Sequence, residues 1–362
     1  MKKVGLQLVF QNYGSQVPDV EHLKEEIEVA SMAEPLGMDE IWPVEHHFED
    51  YAACPDNTQF LAYMAGITST IGLATGAVIL PWNQPVRVAE KITFLDHISD
   101  GRAIFGVGRG LARREYEGMG VDMEESRDRF DESAAMVVAA LESGFIEGDG
   151  PYYKQSRAEI RPRPISTFKD RFYSVAMSPD SVLQAAKLGA QMILFSNKPD
   201  EKLKVSIDTY NEEYRKHHDD EPKPPRLCDF MVCDKDQAVA RKLAKAHIGG
   251  YFASVMDHYE LAGDHFKNSK VYQSYGDEAD LYSRADFEIL MDDYIECNLY
   301  GTPERIVERV RQRQEVIGEY EQNICVKFGG ITQAAAKNGL ELFMKEVMPV
   351  LRADAADSLN VA

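Results

Sequence analysis

The chain has 362 residues, 44% of them hydrophobic and 10% aromatic, with a formal net charge of −20 at pH 7. That apolar fraction excludes a disordered chain and suffices for the core of one large α/β domain or two ordinary ones. The acidic excess argues against nucleic acid or an anionic membrane as the main partner, though a small anion responds to local charge. Five scattered cysteines (Cys54, Cys228, Cys233, Cys297, Cys325) form no CxxC pair. Neither a disulfide framework nor a structural zinc site is expected, and a reducing cytoplasm is the expected compartment. The N-terminus has too short an apolar run for a signal peptide, and no run reaches the ~18–20 apolar residues of a membrane span.

In chain order, Val4–Phe10 is a short apolar run that predicts a buried strand, and Val20–Pro35 has helical spacing. Asp39–Pro43 is a second strand, running into Glu45, His46 and His47. Phe60–Thr70 is helical. Ile71–Leu80 is near-continuously apolar, as a strand covered on both faces is. Pro85–Ile98 is a helix opened by proline. Arg102–Val107 is a fourth strand, leading into Gly108-Arg109-Gly110, and Ser126–Ser143 is a helix. After a polar, proline-containing stretch, Gly148–Thr167, come a strand (Phe172–Ala176), a helix (Pro179–Leu188) and a strand (Gln191–Phe195). Lys202–His217 is helical, Arg226–Val232 a strand and Gln237–Phe252 a helix. Pro303–Ile317 is a helix, Ile324–Phe328 an eighth strand, and Ala334–Leu351 the last helix. Tyr259–Asp292 is polar and poorly periodic, so residues 255–292 are expected to form an insertion or mobile lid within one domain spanning 1–362. Strands alternating with helices imply a parallel sheet, and eight such repeats favour a single (β/α)8 TIM barrel over an open doubly wound sheet.

Barrel enzymes place function at the C-terminal ends of strands. The glycines around Arg109 suggest close backbone approach to a ligand, and arginine offers a planar fork to phosphate. Ser178 and Ser181 open the helix after the fifth strand, where free N–H groups favour an anion. Ser178 is equally well placed as an ordinary N-cap before Pro179, and both readings stand. Glu45-His46-His47 lie on extended chain, so neighbours point opposite ways and rarely share one ion. HExxH is absent, and no metal is expected. A histidine at a strand end fits a general base or an orienting donor.

Taken together and in order, several segments resemble the bacterial luciferase-like, flavin-dependent monooxygenases. They are Glu45–Phe48, Thr75–Pro81, Pro85–Arg87 with Ala89-Glu90, Leu95-Asp96 with Ser99–Arg102, Phe105–Leu111, and Gly120–Met123 with Ser126-Arg127. Further along come Met192–Leu194, Gly301–Glu304 and Val347–Pro349. The likeness is to the catalytic α-subunit type. It implies reduced FMN as cofactor, delivered by a separate NAD(P)H:flavin reductase, and O2 as co-substrate. The reduced flavin would form a C4a-peroxide that oxygenates a small organic substrate. By the same resemblance His46 is the catalytic histidine, and Glu115 falls where luciferase has an aspartate beside it. Arg109, helped by Gly110 and the Leu111 backbone, would grip the FMN phosphate with Ser178 and Ser181. Gly76-Ala77 would support the flavin ring, often through a non-prolyl cis peptide. Gly108 stands where luciferase has its reactive cysteine, so light emission is not implied. Met177 replaces a glutamate at the cofactor site. The resemblance also implies a homodimer, or a heterodimer with a related subunit. F420-dependent hydride transfer and a non-catalytic flavin-binding subunit are the competing expectations.

Overall fold

The structure is a computed structural model that describes residue 1 and residues 3–361. Its strands in chain order are β1 (Val4–Leu8), β2 (Glu40–Pro43), β3 (Gly72–Ala74), β4 (Val78–Ile79), β5 (Ala103–Gly108) and β6 (Phe145–Asp149), then β7 (Lys154–Glu159), β8 (Phe172–Val175), β9 (Gln191–Phe195), β10 (Arg226–Cys233), β11 (Leu299–Gly301) and β12 (Glu321–Cys325). Parallel pairing runs β1, β2, β3, β5, β8, β9, β10, β12 and back to β1, closing an eight-stranded TIM barrel as the sequence predicts. β1, β5 and β10 are buried along their whole length. Helices cover such strands outside and side chains fill the barrel inside.

The run Ile71–Leu80, expected as one strand, is two. The chain leaves the ladder between β3 and β4, where the Gly76–Ala77 peptide is cis. Thr75 bridges the break: its hydroxyl donates to the Gly106 carbonyl and accepts from the Gly106 N–H, both at 2.8 Å. Only glycine fits opposite, because a Cβ on Gly106 would stand 2.2 Å from the Thr75 carbonyl oxygen.

Other boundaries move for identifiable reasons. The eighth barrel strand is Glu321–Cys325, three residues earlier than the apolar run suggests, because its polar start pairs inside the barrel. The polar stretch after Ser143 contains an antiparallel hairpin, β6 with β7, carrying a register shift between Ile146 and Gly148. Much of it is solvent-facing, so no apolar alternation marks it. The insertion is helical rather than irregular, with helices at Asp264–Asn268, Gln273–Arg284 and Phe287–Cys297. The last helix is interrupted by a π-helical turn at Phe343–Val347.

Charge closes the N-terminal end of the barrel. Arg226 is fully buried, with Nη2 2.7 Å from Glu40 Oε2, a second ion pair to Glu321, and Nη1 donating to Asn323 Oδ1 at 2.8 Å. The rings of Trp42 and Tyr173 lie 4.7 and 5.2 Å from its guanidinium. Burial opposes the charge on Arg226, but Glu40 and Glu321 outweigh it and hold the guanidinium more firmly protonated than usual. Removing one side of such a cluster leaves buried charge uncompensated, a cost of about 3–5 kcal/mol. Arg226→Met is expected to lower the unfolding free energy in urea by that much; a loss below about 1 kcal/mol would show that Glu40 and Glu321 tolerate each other.

Candidate active site

At the opposite end of the barrel the strand ends surround a cavity of about 240 Å³. It takes in every site residue singled out from the sequence: His46, Gly76, Ala77, Arg109, Gly110, Leu111, Glu115, Met177, Ser178 and Ser181.

The extended chain after β2 sends neighbouring side chains opposite ways. Glu45 and His47 share one side, Oε1 to Nε2 at 3.1 Å. Glu45 also accepts from the Ile79 N–H, the Trp82 indole and the Asn83 amide at 3.1, 2.8 and 2.9 Å. It is an anchor for the turn after β4. His46 turns the other way, its Nδ1 3.0 Å from Glu115 Oε1, and the His47 N–H donates to that same oxygen at 2.7 Å. Glu115 sits in the first turn of the helix Arg113–Met119. Burial alone would raise its pKa, but His46, His258 and the His47 amide outweigh burial and hold it below the ordinary carboxylate value. An anionic Glu115 takes the Nδ1–H of His46. That leaves His46 Nε2 toward the Tyr259 hydroxyl, 3.5 Å away in the same cavity.

The break in the third strand forms one wall. The Gly76 N–H donates to the Pro43 carbonyl at 3.0 Å, Gln7 Nε2 donates to the Gly76 carbonyl at 3.4 Å, and Asn57 Nδ2 donates to the Ala77 carbonyl at 3.0 Å. Sequence reading does not reach Gln7 or Asn57; Gln7 also accepts from Asn323 Nδ2 at 3.1 Å, and Asn57 also donates to the Pro43 carbonyl at 3.3 Å.

The other end of the cavity is cationic. Ser178 caps the helix Pro179–Lys187 in a reciprocal capping box with Ser181, and their hydroxyls lie 3.0 Å apart. The cap reading is therefore realised, and it also holds two hydroxyls at a helix N-terminus. The Arg109 guanidinium stacks over the Tyr272 ring at 4.1 Å, and its Nη1 lies 3.4 Å from the Val271 carbonyl. The Tyr272 hydroxyl donates to the Gly110 carbonyl at 2.8 Å. Arg127, close enough to Arg109 to feel its charge, is a residue the sequence placed in a family segment without a role. Its Nη2 lies 3.4 Å from Asp180, in the first turn of the capped helix, and is buried without a hydrogen bond. Burial and nearby Arg109 both lower its pKa. Met177 is turned inward, its sulfur accepting from the Phe195 N–H at 3.3 Å.

His258, also missed by sequence reading, ends the long helix Gln237–His258. Its ring stacks on Tyr51 at 4.0 Å and lies 5.2 Å from the His46 ring. Nδ1 bonds Glu49 Oε2 at 2.6 Å, while Nε2 is buried without a partner. Burial, then the neighbouring His46, pushes its pKa from 6.5 down to about 4. The unfolded chain therefore binds one more proton between those values, so stability is full above pH 6.5 and falls as the pH drops toward about 4. His258→Gln is expected to flatten that fall in urea unfolding compared near pH 7 and near pH 4.5; an unchanged slope would show that His258 titrates normally.

Residues 2–319 match the luciferase-like monooxygenase family. The alkanal monooxygenase alpha chain of Photorhabdus luminescens is 26% identical over 343 residues, covering 93% of this chain and 94% of its own. A monooxygenase from Streptomyces bottropensis shares the fold at a TM-score of 0.77, with 23% identity over 96% of this chain and 99% of its own. The oxygenating constituent of 3,6-diketocamphane monooxygenase from Pseudomonas putida, a type II Baeyer–Villiger monooxygenase solved with FMN, has a TM-score of 0.75 and 19% identity, with 96% and 98% coverage. Breaks, glycines, histidine and arginines thus fall in a chain that belongs to the luciferase-like monooxygenase family.

Proposed function

We propose that this protein is the oxygenating component of a two-component system: an FMNH2- and O2-dependent monooxygenase acting on a small, largely apolar molecule. The observation that carries this reading is that one cavity holds a histidine–carboxylate pair and a cationic, hydroxyl-bearing helix N-terminus. FMN has matching parts, a redox-active ring and a terminal phosphate.

The residues fit that cofactor. The buried Nη2 of Arg127, paired loosely with Asp180 at 3.4 Å, and the loosely bonded guanidinium of Arg109 supply charge for a phosphate, and Ser178 and Ser181 supply hydroxyls. Gly76, Ala77 and Gly108 leave space for a flat ring; a Cβ on Gly108 would stand 3.0 Å from Ile79 and 3.5 Å from the Ala77 side chain. When bound, reduced flavin supplies the electrons that activate O2. Glu115 holds His46 in one tautomer, so that Nε2 accepts or returns a proton on the cavity side. Phe230, Tyr251, Tyr259, Tyr282 and Tyr294 line the same space, exclude water and give an organic substrate an apolar surface. The reduced flavin comes from a separate NAD(P)H:flavin reductase. A dimer, with itself or a relative, is supported by exposed apolar side chains on two adjacent helices, Tyr63 and Ile67 on Asn57–Ile67 and Phe94 and Ile98 on Pro85–Ile98.

Arg109→Ala is expected to weaken FMN binding by about 2 kcal/mol, roughly thirtyfold, in a fluorescence titration. Equal affinity would misplace the phosphate. His46→Ala is expected to keep FMN affinity and to lose oxygenated product by at least about a hundredfold. Turnover with reductase, NADH, FMN and labelled O2 should place one labelled atom in the product. Hydrogen peroxide alone with every substrate would favour a non-catalytic flavin-binding subunit. Binding of F420 without FMN would favour hydride transfer.

A further inference from the structure

Residues far apart in sequence meet beside the cavity, which two of them, His46 and Glu115, line. His46, Glu115 and His258 each bring one donor atom, and the three lie within 4.8 Å of one another. His46 follows β2 and Glu115 opens the helix after β5, whereas His258 ends the helix from which the insertion departs. We propose that His46, Glu115 and His258 form a binding site for a divalent ion of the zinc type, which clamps the foot of the insertion to the barrel. Its effect on turnover, though not the site, rests on the monooxygenase reading.

Two imidazoles and one carboxylate are a donor set that zinc favours, with a further position left for water. Zinc with bonds of ~2.0–2.2 Å holds two tetrahedral donors about 3.3–3.5 Å apart. His46 Nδ1 and Glu115 Oε1 already stand 3.0 Å apart. His258 is prepared as the third ligand. Stacking on Tyr51 fixes its plane, and the bond from Nδ1 to Glu49 fixes its tautomer, the carboxylate–histidine arrangement that orients metal-bound imidazoles. Its Nε2 then carries a lone pair, yet this atom has no partner on a residue only 1% exposed. A buried polar atom without a partner is costly, and an ion would satisfy it. Glu115 and Glu49 balance the two positive charges, with Arg114 bonded to the other oxygen of Glu49 at 2.8 Å. Binding at Nδ1 moves the ring proton of His46 to Nε2, so the ion takes the place of the proton on Nδ1 and Nε2 can no longer accept one. An enzyme that uses His46 to move a proton is thereby inhibited.

The test is a calorimetric titration of the cofactor-free full-length protein with zinc chloride. One ion per chain is expected, with micromolar affinity, and His258→Ala and Glu115→Gln are each expected to weaken it by at least about tenfold. His217→Ala, at an exposed histidine paired with Glu213, should leave the isotherm unchanged. His258→Gln keeps the ring site filled and guards against a folding defect; the same loss of zinc binding is expected from it. Zinc should also slow turnover reversibly, with activity restored by a chelator. No saturable binding below about 100 µM, or an affinity unchanged by both His258 variants, overturns the site. Inactive protein with an intact, His258-dependent isotherm would instead overturn the monooxygenase reading and leave the site standing.

Discussion

A closed barrel has an interior that must be filled, and here charge fills it from one end. Arg226 lies between Glu40 and Glu321 at the starts of β10, β2 and β12. The Trp42 indole donates to Glu40 at 3.0 Å and packs edge-on against Tyr173 at 5.0 Å. A Cβ on Gly76 would stand 3.2 Å from the Trp42 side chain. The wall of the cavity therefore rests on Trp42, and Trp42 rests on the ion cluster. Buried ion pairs are weak sources of stability, because desolvation offsets much of the attraction. This one locates a layer: it fills the lower barrel with directional contacts and leaves the open space above Trp42.

The exit of β5 does the rest of the positioning. Arg109 and Glu115 lie on either side of one short turn, yet they serve opposite ends of the cavity. The Tyr116 hydroxyl donates to the Arg109 carbonyl, and the Tyr116 ring packs edge-on against Trp82 at 4.9 Å. Trp82 in turn donates to Glu45. The acidic neighbour that keeps His47 away from His46 is thus tied, through two aromatic rings, to the backbone that presents the arginine. The two ends are joined by a continuous run of packed groups.

The barrel was legible because parallel strands read as apolar runs, and the windows around β1, β2, β5, β8, β9 and β10 coincide with those runs. The exceptions have local causes. The third run breaks where Gly76 and Ala77 leave the ladder, which hydrophobicity does not record. The eighth strand begins on Glu321, Gln322 and Asn323, polar residues that look like loop until Arg226 and Asp229 supply their partners. The hairpin β6–β7 covers the surface and has little apolar face to show. Within the site, strand-end residues were legible by type and position. Arg127 and His258 were not, because each gains its role from a chain segment distant in sequence: Arg127 from the helix bearing Asp180, His258 from Glu49 and the His46–Glu115 pair. The charge had the same limit. The total of −20 describes the flanks, since residues 101–200 carry 14 basic against 15 acidic side chains.

Tyr272 covers Arg109 and bonds the Gly110 carbonyl, so the insertion sits on the arginine assigned to the cofactor phosphate. Stacking of this kind contributes about 0.5–2 kcal/mol. The stack takes the face of the guanidinium, while its N–H donors lie in the plane, so a phosphate bound there would share Arg109 with Tyr272 rather than displace it. A bound phosphate that ordered the arginine would then also order the ring resting on it, and by reciprocity a settled insertion would favour the phosphate.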